Sequence, residues 1–190
     1  KEPIWSTFFN LPNQLTVSRL VLSIVLFVFL GLQWYTTSLV LFVVAASTDW
    51  LDGYFARKYG QVTILGRILD PFVDKVIVCG TFIFLVSEPE SQIRAWMAVV
   101  IVGRELLITA IRSFLEQQGA DFSANMSGKL KMVFQCIAAG VSLFYLAQLS
   151  AGGAADWVYW LLIAMVYTAI GLTVYSGIGY IRAAVSILDS

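Results

Sequence analysis

The sequence contains no histidine. That removes the commonest general base and the commonest zinc ligand, so any proton transfer falls to a carboxylate or another group. Charge is scarce as well. Only 13% of residues are charged, against roughly 25% in a soluble domain. With 59% hydrophobic residues and a mean hydropathy of +0.81, the chain has too little polar surface to coat a soluble fold, and it reads as an integral membrane protein. Twelve basic and twelve acidic residues cancel, so no polyanion and no nucleic acid is indicated as a partner. Cysteine is nearly absent. Cys79 and Cys136 both lie in apolar runs and read as small core residues, not as a disulfide framework or a metal site. The first twenty residues lack the basic region and small-residue cleavage site of a signal peptide, so the first apolar run is expected to remain as a helix.

Six apolar segments are present, at about 15–32, 38–57, 71–87, 93–114, 129–149 and 157–188. Each has roughly the ~20 residues needed to cross ~30 Å of hydrocarbon as a helix. The sixth is longer and is expected to tilt or protrude. Helices satisfy their own backbone groups in lipid, so the expected fold class is all-α, a polytopic membrane protein with six transmembrane helices. A single membrane domain spans 1–190, with a short aromatic stretch at about 1–10 that suits an interfacial anchor. The longest polar connections are 58–69 and 116–127.

Basic residues orient the spans. Lys1, Arg19, Arg57, Lys58, Arg67, Lys75, Arg112, Lys129, Lys131 and Arg182 fall near one side of a six-span arrangement. The opposite connections, QWYTT, SEPESQIR and SAGGAAD, carry only Arg94. Both termini are therefore expected on the cytoplasmic side of the membrane.

On that same side lie four aspartates in apolar surroundings: Asp49, Asp52, Asp70 and Asp74. Asp49, Asp52, Gly53 and Ala56 follow the i, i+3, i+4, i+7 pattern and share one helix face. Asp70 and Asp74 are i, i+4 at the expected start of the third helix, where Asp70 before Pro71 also suits an N-cap. Four clustered carboxylates repel one another and raise each other's pKa values. Hard divalent cations remove that conflict and prefer oxygen ligands. Two such ions can clamp the attacking and leaving oxygens of a phosphoryl transfer. Taken singly, each aspartate also has a plain reading, as a helix cap, a partner for Arg57 or Lys75, or a solvated helix-end charge.

Asp49, two residues, Asp52-Gly53, two residues, Ala56-Arg57, eight residues, Gly66, three residues, Asp70, three residues and Asp74 resembles the signature of the CDP-alcohol phosphotransferases at every defining position. The resemblance implies a six-helix membrane enzyme, usually a homodimer, that displaces CMP from a CDP-linked lipid or alcohol with two divalent ions, Mg2+ or Mn2+. It implies metal ligation by Asp49, Asp52, Asp70 and Asp74, with Asp74 also the general base for the acceptor hydroxyl. It implies a CDP pocket formed by Asp52, Gly53, Ala56, Arg57 and Gly66, with Arg57 on the pyrophosphate and Gly66 in the loop between helices two and three.

The acceptor is carried by looser motifs. Asn10-Leu11-Pro12-Asn13 with Leu15-Thr16 and Arg19, Gly103-Arg104-Glu105 with Arg112, and Gly128-Lys129-Leu130-Lys131 with Gln135 resemble the phosphatidylglycerophosphate synthase branch of that family. Its substrates would be CDP-diacylglycerol and sn-glycerol 3-phosphate. Arg104, Arg112, Lys129 and Lys131 would bind the acceptor phosphate, and Asn13, Thr16 and Arg19 are further candidate substrate contacts. The residues are compatible. Arg104 and Arg112 are eight apart, near one helix face, and an acceptor that carries phosphate suits a cationic pocket. An interhelical ion pair is the plainer reading of Arg104, because adjacent helix residues do not face each other. Membrane-surface anchoring is the plainer reading of Lys129, Lys131 and Arg19. Sibling acceptors, phosphatidylglycerol as in a cardiolipin synthase or an inositol phosphate, stay open. So does a cation transporter or channel, although an ion path has no need of Arg57 and Gly66 at fixed offsets.

Overall fold

The computed structural model describes residues 11–59, 64–117 and 126–188. Among them it is all helical: α1 (Leu11–Gly31), α2 (Tyr35–Tyr59), α3 (Ile64–Val86), α4 (Ala95–Gln117), α5 (Met126–Ser150) and α6 (Asp156–Leu188), with a short 3-10 turn at Pro89–Ser91. The expected interfacial segment at 1–10 lies outside the described residues, as do 60–63 and 118–125. Lengths of 21 to 33 residues correspond to ~32 to ~50 Å at 1.5 Å per residue. Two helices, over Gly128–Ser150 and Asp156–Ile187, are long and apolar enough to cross a membrane; shorter apolar stretches lie at Thr16–Gly31, Tyr35–Ser47 and Lys75–Val86.

One boundary differs from expectation. α3 starts at Ile64, seven residues before Pro71. Asp70 is therefore inside the helix and is not its N-cap, and Gly66 is in the first turn, not in a loop. Leu65, Arg67 and Leu69 are good helix formers, and Pro71 removes just one donor, the N–H that the Arg67 carbonyl would accept. The bundle tolerates that loss within a helix that continues to Val86.

The helices pack most extensively as α5 on α6, with α1 against both α2 and α3, α2 against α5, and α4 against α6. The main core runs through Leu26, Phe42, Phe82, Leu85, Met97, Ile101, Leu143 and Leu162. A smaller cluster of Ile108, Leu115, Tyr180 and Ala184 fastens α4 to α6. α1 and α3 approach closely at Gly80, where a Cβ would lie 2.2 Å from the Phe27 ring; that ring stacks on Phe84 at 5.3 Å.

Polarity is inverted relative to a soluble bundle. Ser23, Ser38, Thr81, Ser91, Gln135, Ser142, Thr173 and Ser176 are buried, while Ile24, Val40, Ile83, Val99, Leu106 and Val133 are exposed. The buried hydroxyls hydrogen-bond inside the bundle: Thr173 Oγ1 donates to Ala169 O at 2.6 Å and accepts from Gln135 Nε2 at 2.9 Å. Ser91 Oγ donates to Leu85 O at 2.6 Å and accepts from Ile93 N at 3.1 Å, while Ser142 Oγ of α5 donates to Ser91 O at 3.1 Å. Gln33 Nε2, in the α1–α2 turn, donates to Glu88 Oε1 in the α3–α4 turn at 3.3 Å. Those two turns thus share one end of the bundle, and Ser91 fastens that end to α5.

Candidate active site

Three helices meet at a cavity of about 170 Å³ toward the other end. α3 contributes Lys75, Val78 and Cys79, α4 contributes Glu105 and Arg112, and α5 contributes Lys131, Met132 and Gln135. Each set follows helix periodicity. Lys75 and Cys79 are i, i+4, Glu105 and Arg112 are i, i+7, and Lys131 and Gln135 are i, i+4, so each helix turns one stripe inward. Sites for drug-sized ligands typically run ~300–1,000 Å³. The smaller volume suits a compact polar ligand.

The lining holds three cations and one acid. Lys131 is 3% exposed and engages Glu105 Oε1 across the α4–α5 interface. Arg104 Nη1 reaches the same oxygen at 3.3 Å, Arg104 Nη2 donates to Ser176 Oγ at 3.2 Å, and the guanidinium lies over the Tyr180 ring at 5.3 Å. Adjacent residues do pair here, contrary to the simple helix-face argument. Glu105 Oε1 thus bridges Arg104 of its own helix and Lys131 of α5. Tyr180 comes this close because α5 carries Gly128 opposite it; a Cβ there would lie 2.9 Å from the tyrosine oxygen. Lys75 Nζ donates to Thr109 Oγ1 at 2.6 Å, and Thr109 Oγ1 donates to Glu105 O at 2.6 Å, tying α3 to α4. Arg104 Nε and Arg112 Nε are buried and have no hydrogen-bond partner among the described residues. A buried donor in that state costs about 1–3 kcal/mol, a cost that a bound anion offsets.

The structure brings Arg112 and Lys131 to the cavity and sets Arg104 behind Glu105. Lys129 is exposed and does not line it. Thr16 and Arg19 are buried on α1. Asp49, Asp52, Gly53, Ala56 and Arg57 lie in α2, and Gly66, Asp70 and Asp74 lie in α3. Their side chains, and that of Asn13, lie outside the described set. The backbone keeps Asp49 and Asp52 three apart in one helix, and Asp70 and Asp74 four apart in the next, so each pair shares a face. Among the described side chains no group of three or more histidine, cysteine or acidic residues gathers. Paired hard oxygen donors on two helices fit a magnesium- or manganese-type ion. Lys75, the residue after Asp74, ties this segment to the cavity.

Sequence reasoning passed over Lys75, Glu105 and Gln135 as site residues. The available signal was Glu105, Thr109 and Arg112 at i, i+4, i+7, a polar stripe on an otherwise apolar helix.

The family model described as CDP-alcohol phosphatidyltransferase matches residues 9–179. The chain belongs to the CDP-alcohol phosphatidyltransferase family. The matched span includes all four aspartates and every residue lining the cavity. Among relatives, the chain is 37% identical over 153 residues to a protein of Bacillus subtilis (strain 168), covering 72% of this chain and 78% of that one. It is 33% identical over 180 residues to one of Pseudomonas fluorescens, covering 92% and 90%, and 33% identical over 181 residues to one of Escherichia coli (strain K12), covering 93% and 95%. All three are named CDP-diacylglycerol--glycerol-3-phosphate 3-phosphatidyltransferase.

Proposed function

We propose that the protein transfers the phosphatidyl group of CDP-diacylglycerol to sn-glycerol 3-phosphate, giving phosphatidylglycerol phosphate and CMP. The observation that carries this reading is the small cavity bearing Lys75, Arg112 and Lys131 beside the segment that holds Asp74. Its size and charge suit a compact phosphate-bearing alcohol, which is what the relatives' shared name describes.

In this reading Asp49, Asp52, Asp70 and Asp74 hold two divalent ions, magnesium or manganese. When bound, these neutralise the pyrophosphate and the charge that develops on the leaving CMP oxygen. Asp52, Gly53, Ala56, Arg57 and Gly66 hold the CDP group, with Arg57 on the pyrophosphate. Arg112 and Lys131 hold the acceptor phosphate, and Arg104 supports them through Glu105. The exposed Lys129 serves the membrane-facing surface instead. Asp74 takes the proton of the acceptor's 1-hydroxyl, and that oxygen forms a bond to the lipid-side phosphorus. The phosphorus–oxygen bond to CMP breaks, and the electron pair leaves with CMP. The absence of histidine makes a carboxylate the natural base.

The same reading gives six membrane spans, the sixth long enough to tilt, with the site and both termini on the cytoplasmic side of a bacterial inner membrane and two copies forming a homodimer. The apolar exposed faces and the buried hydroxyls support a lipid setting. The lipid tails then stay in the bilayer while the CDP group enters between helices.

The test is an acceptor panel. Purified protein receives CDP-diacylglycerol, a divalent metal, and glycerol 3-phosphate, inositol phosphate or phosphatidylglycerol in turn. CMP release is expected with glycerol 3-phosphate. Release with another acceptor and none with glycerol 3-phosphate would overturn the acceptor assignment.

A further inference from the structure

The cavity contains one acid among its cations, and neither metal nor phosphate binding calls for it. Glu105 receives both Arg104 and Lys131 on a single oxygen, Oε1. Its other oxygen, Oε2, makes no hydrogen bond to a described residue, and the side chain lines the cavity. A carboxylate in that position repels a phosphate, so the acceptor's phosphate must turn toward Arg112 and Lys131 and away from Glu105. What faces a carboxylate comfortably is a hydroxyl donor.

On the proposed reading, the acceptor has two hydroxyls. One reacts, and it must reach Asp74, next to Lys75 on the α3 side of the cavity. The other, on the middle carbon, has no role in the transfer itself. We propose that Glu105 Oε2 accepts a hydrogen bond from this second hydroxyl, making the cavity selective for phosphates that carry a vicinal diol. Glu105 then has two tasks at once. Oε1 fixes Arg104 and Lys131, and Oε2 reads the polyol. An acceptor turned to a hydroxyl disfavours an analogue that lacks it, because the carboxylate oxygen loses that donor.

The inference rests on the acceptor reading above, and its test separates the two. CMP release is measured with glycerol 3-phosphate and with 3-hydroxypropyl phosphate, which differs only in lacking the middle hydroxyl. Wild-type protein is expected to prefer glycerol 3-phosphate by roughly 10- to 100-fold in kcat/KM, the range of one hydrogen bond to a charged group. Glu105→Ala is expected to bring that preference close to one. Glu105→Gln, which keeps the shape and one acceptor oxygen, is expected to fall between. For a variant without turnover, calorimetric binding of the two phosphates to Glu105→Gln supplies the same ratio. If both acceptors serve the wild type equally, or if Glu105 variants lose turnover on both in equal proportion, Glu105 is only a structural anchor and the inference fails. If neither acceptor releases CMP from the wild type, the acceptor reading fails and this inference falls with it.

Discussion

In the proposed mechanism, Arg112 and Asp74 are the residues where the chemistry is most exposed to a single change. Arg112 has a buried Nε without a partner among the described residues, in a cavity whose other cations are lysines. Arg112→Met keeps much of the volume and removes the charge. It is expected to raise KM for glycerol 3-phosphate roughly 10- to 100-fold, with a smaller effect on KM for CDP-diacylglycerol. Equal changes in both constants would point to a general loss of fold. Asp74→Asn keeps the side-chain size and removes the basic oxygen. A fall in kcat of about 10²- to 10⁴-fold is expected, in the range of general-base loss, while CDP-diacylglycerol still binds. Full activity of that variant would remove Asp74 from the mechanism. The aspartate pairs were legible in the sequence because their short spacings lie within single helices. Glu105 was not, since its meaning comes from Lys131, 26 positions away on another helix. Lys75 was hidden for the same reason: its link to Thr109 crosses from α3 to α4.

At the scale of the elements, apolar runs located all six helices, yet they misplaced the start of α3. Pro71 reads as a helix start when only the sequence is considered, and ILGRILD carries the helix past it in the other direction. The α1–α3 contact was equally invisible, because it depends on Phe27 and Gly80 meeting across two helices. Gly80→Ala would put a methyl group into the Phe27 ring, which has little freedom to move while stacked on Phe84. A loss of about 1–3 kcal/mol is expected for overpacking of this kind, read as a lower thermal midpoint in detergent. An unchanged midpoint would mean that the ring swings away freely. Gly128 offers a functional counterpart. Gly128→Ala crowds Tyr180, which backs Arg104, so it is expected to weaken use of glycerol 3-phosphate more than it weakens use of CDP-diacylglycerol.

For the whole molecule, the distribution of Lys and Arg and the pairing of turns point to one arrangement. The α1–α2 and α3–α4 turns meet through Gln33 and Glu88 at one end, and the cationic cavity lies toward the other. In a protein with Cys79 and Cys136 replaced by alanine, a cysteine at Glu90 is expected to react with an impermeant maleimide added outside intact cells. One at Gln117 is expected to react only after permeabilisation. The reverse pattern would invert the orientation. The expected orientation rests on charge alone, because basic residues near spans bias the side on which they stay. The acceptor was harder to read, since a cationic pocket is assembled from three helices. The most direct measurement is the joint quantification of CMP and lipid product from purified protein supplied with CDP-diacylglycerol, glycerol 3-phosphate and magnesium or manganese. The expected result is phosphatidylglycerol phosphate and CMP in equal amounts, both lost when a chelator removes the metal. CMP without the lipid product, or cation flux across vesicles with no CMP at all, would contradict it.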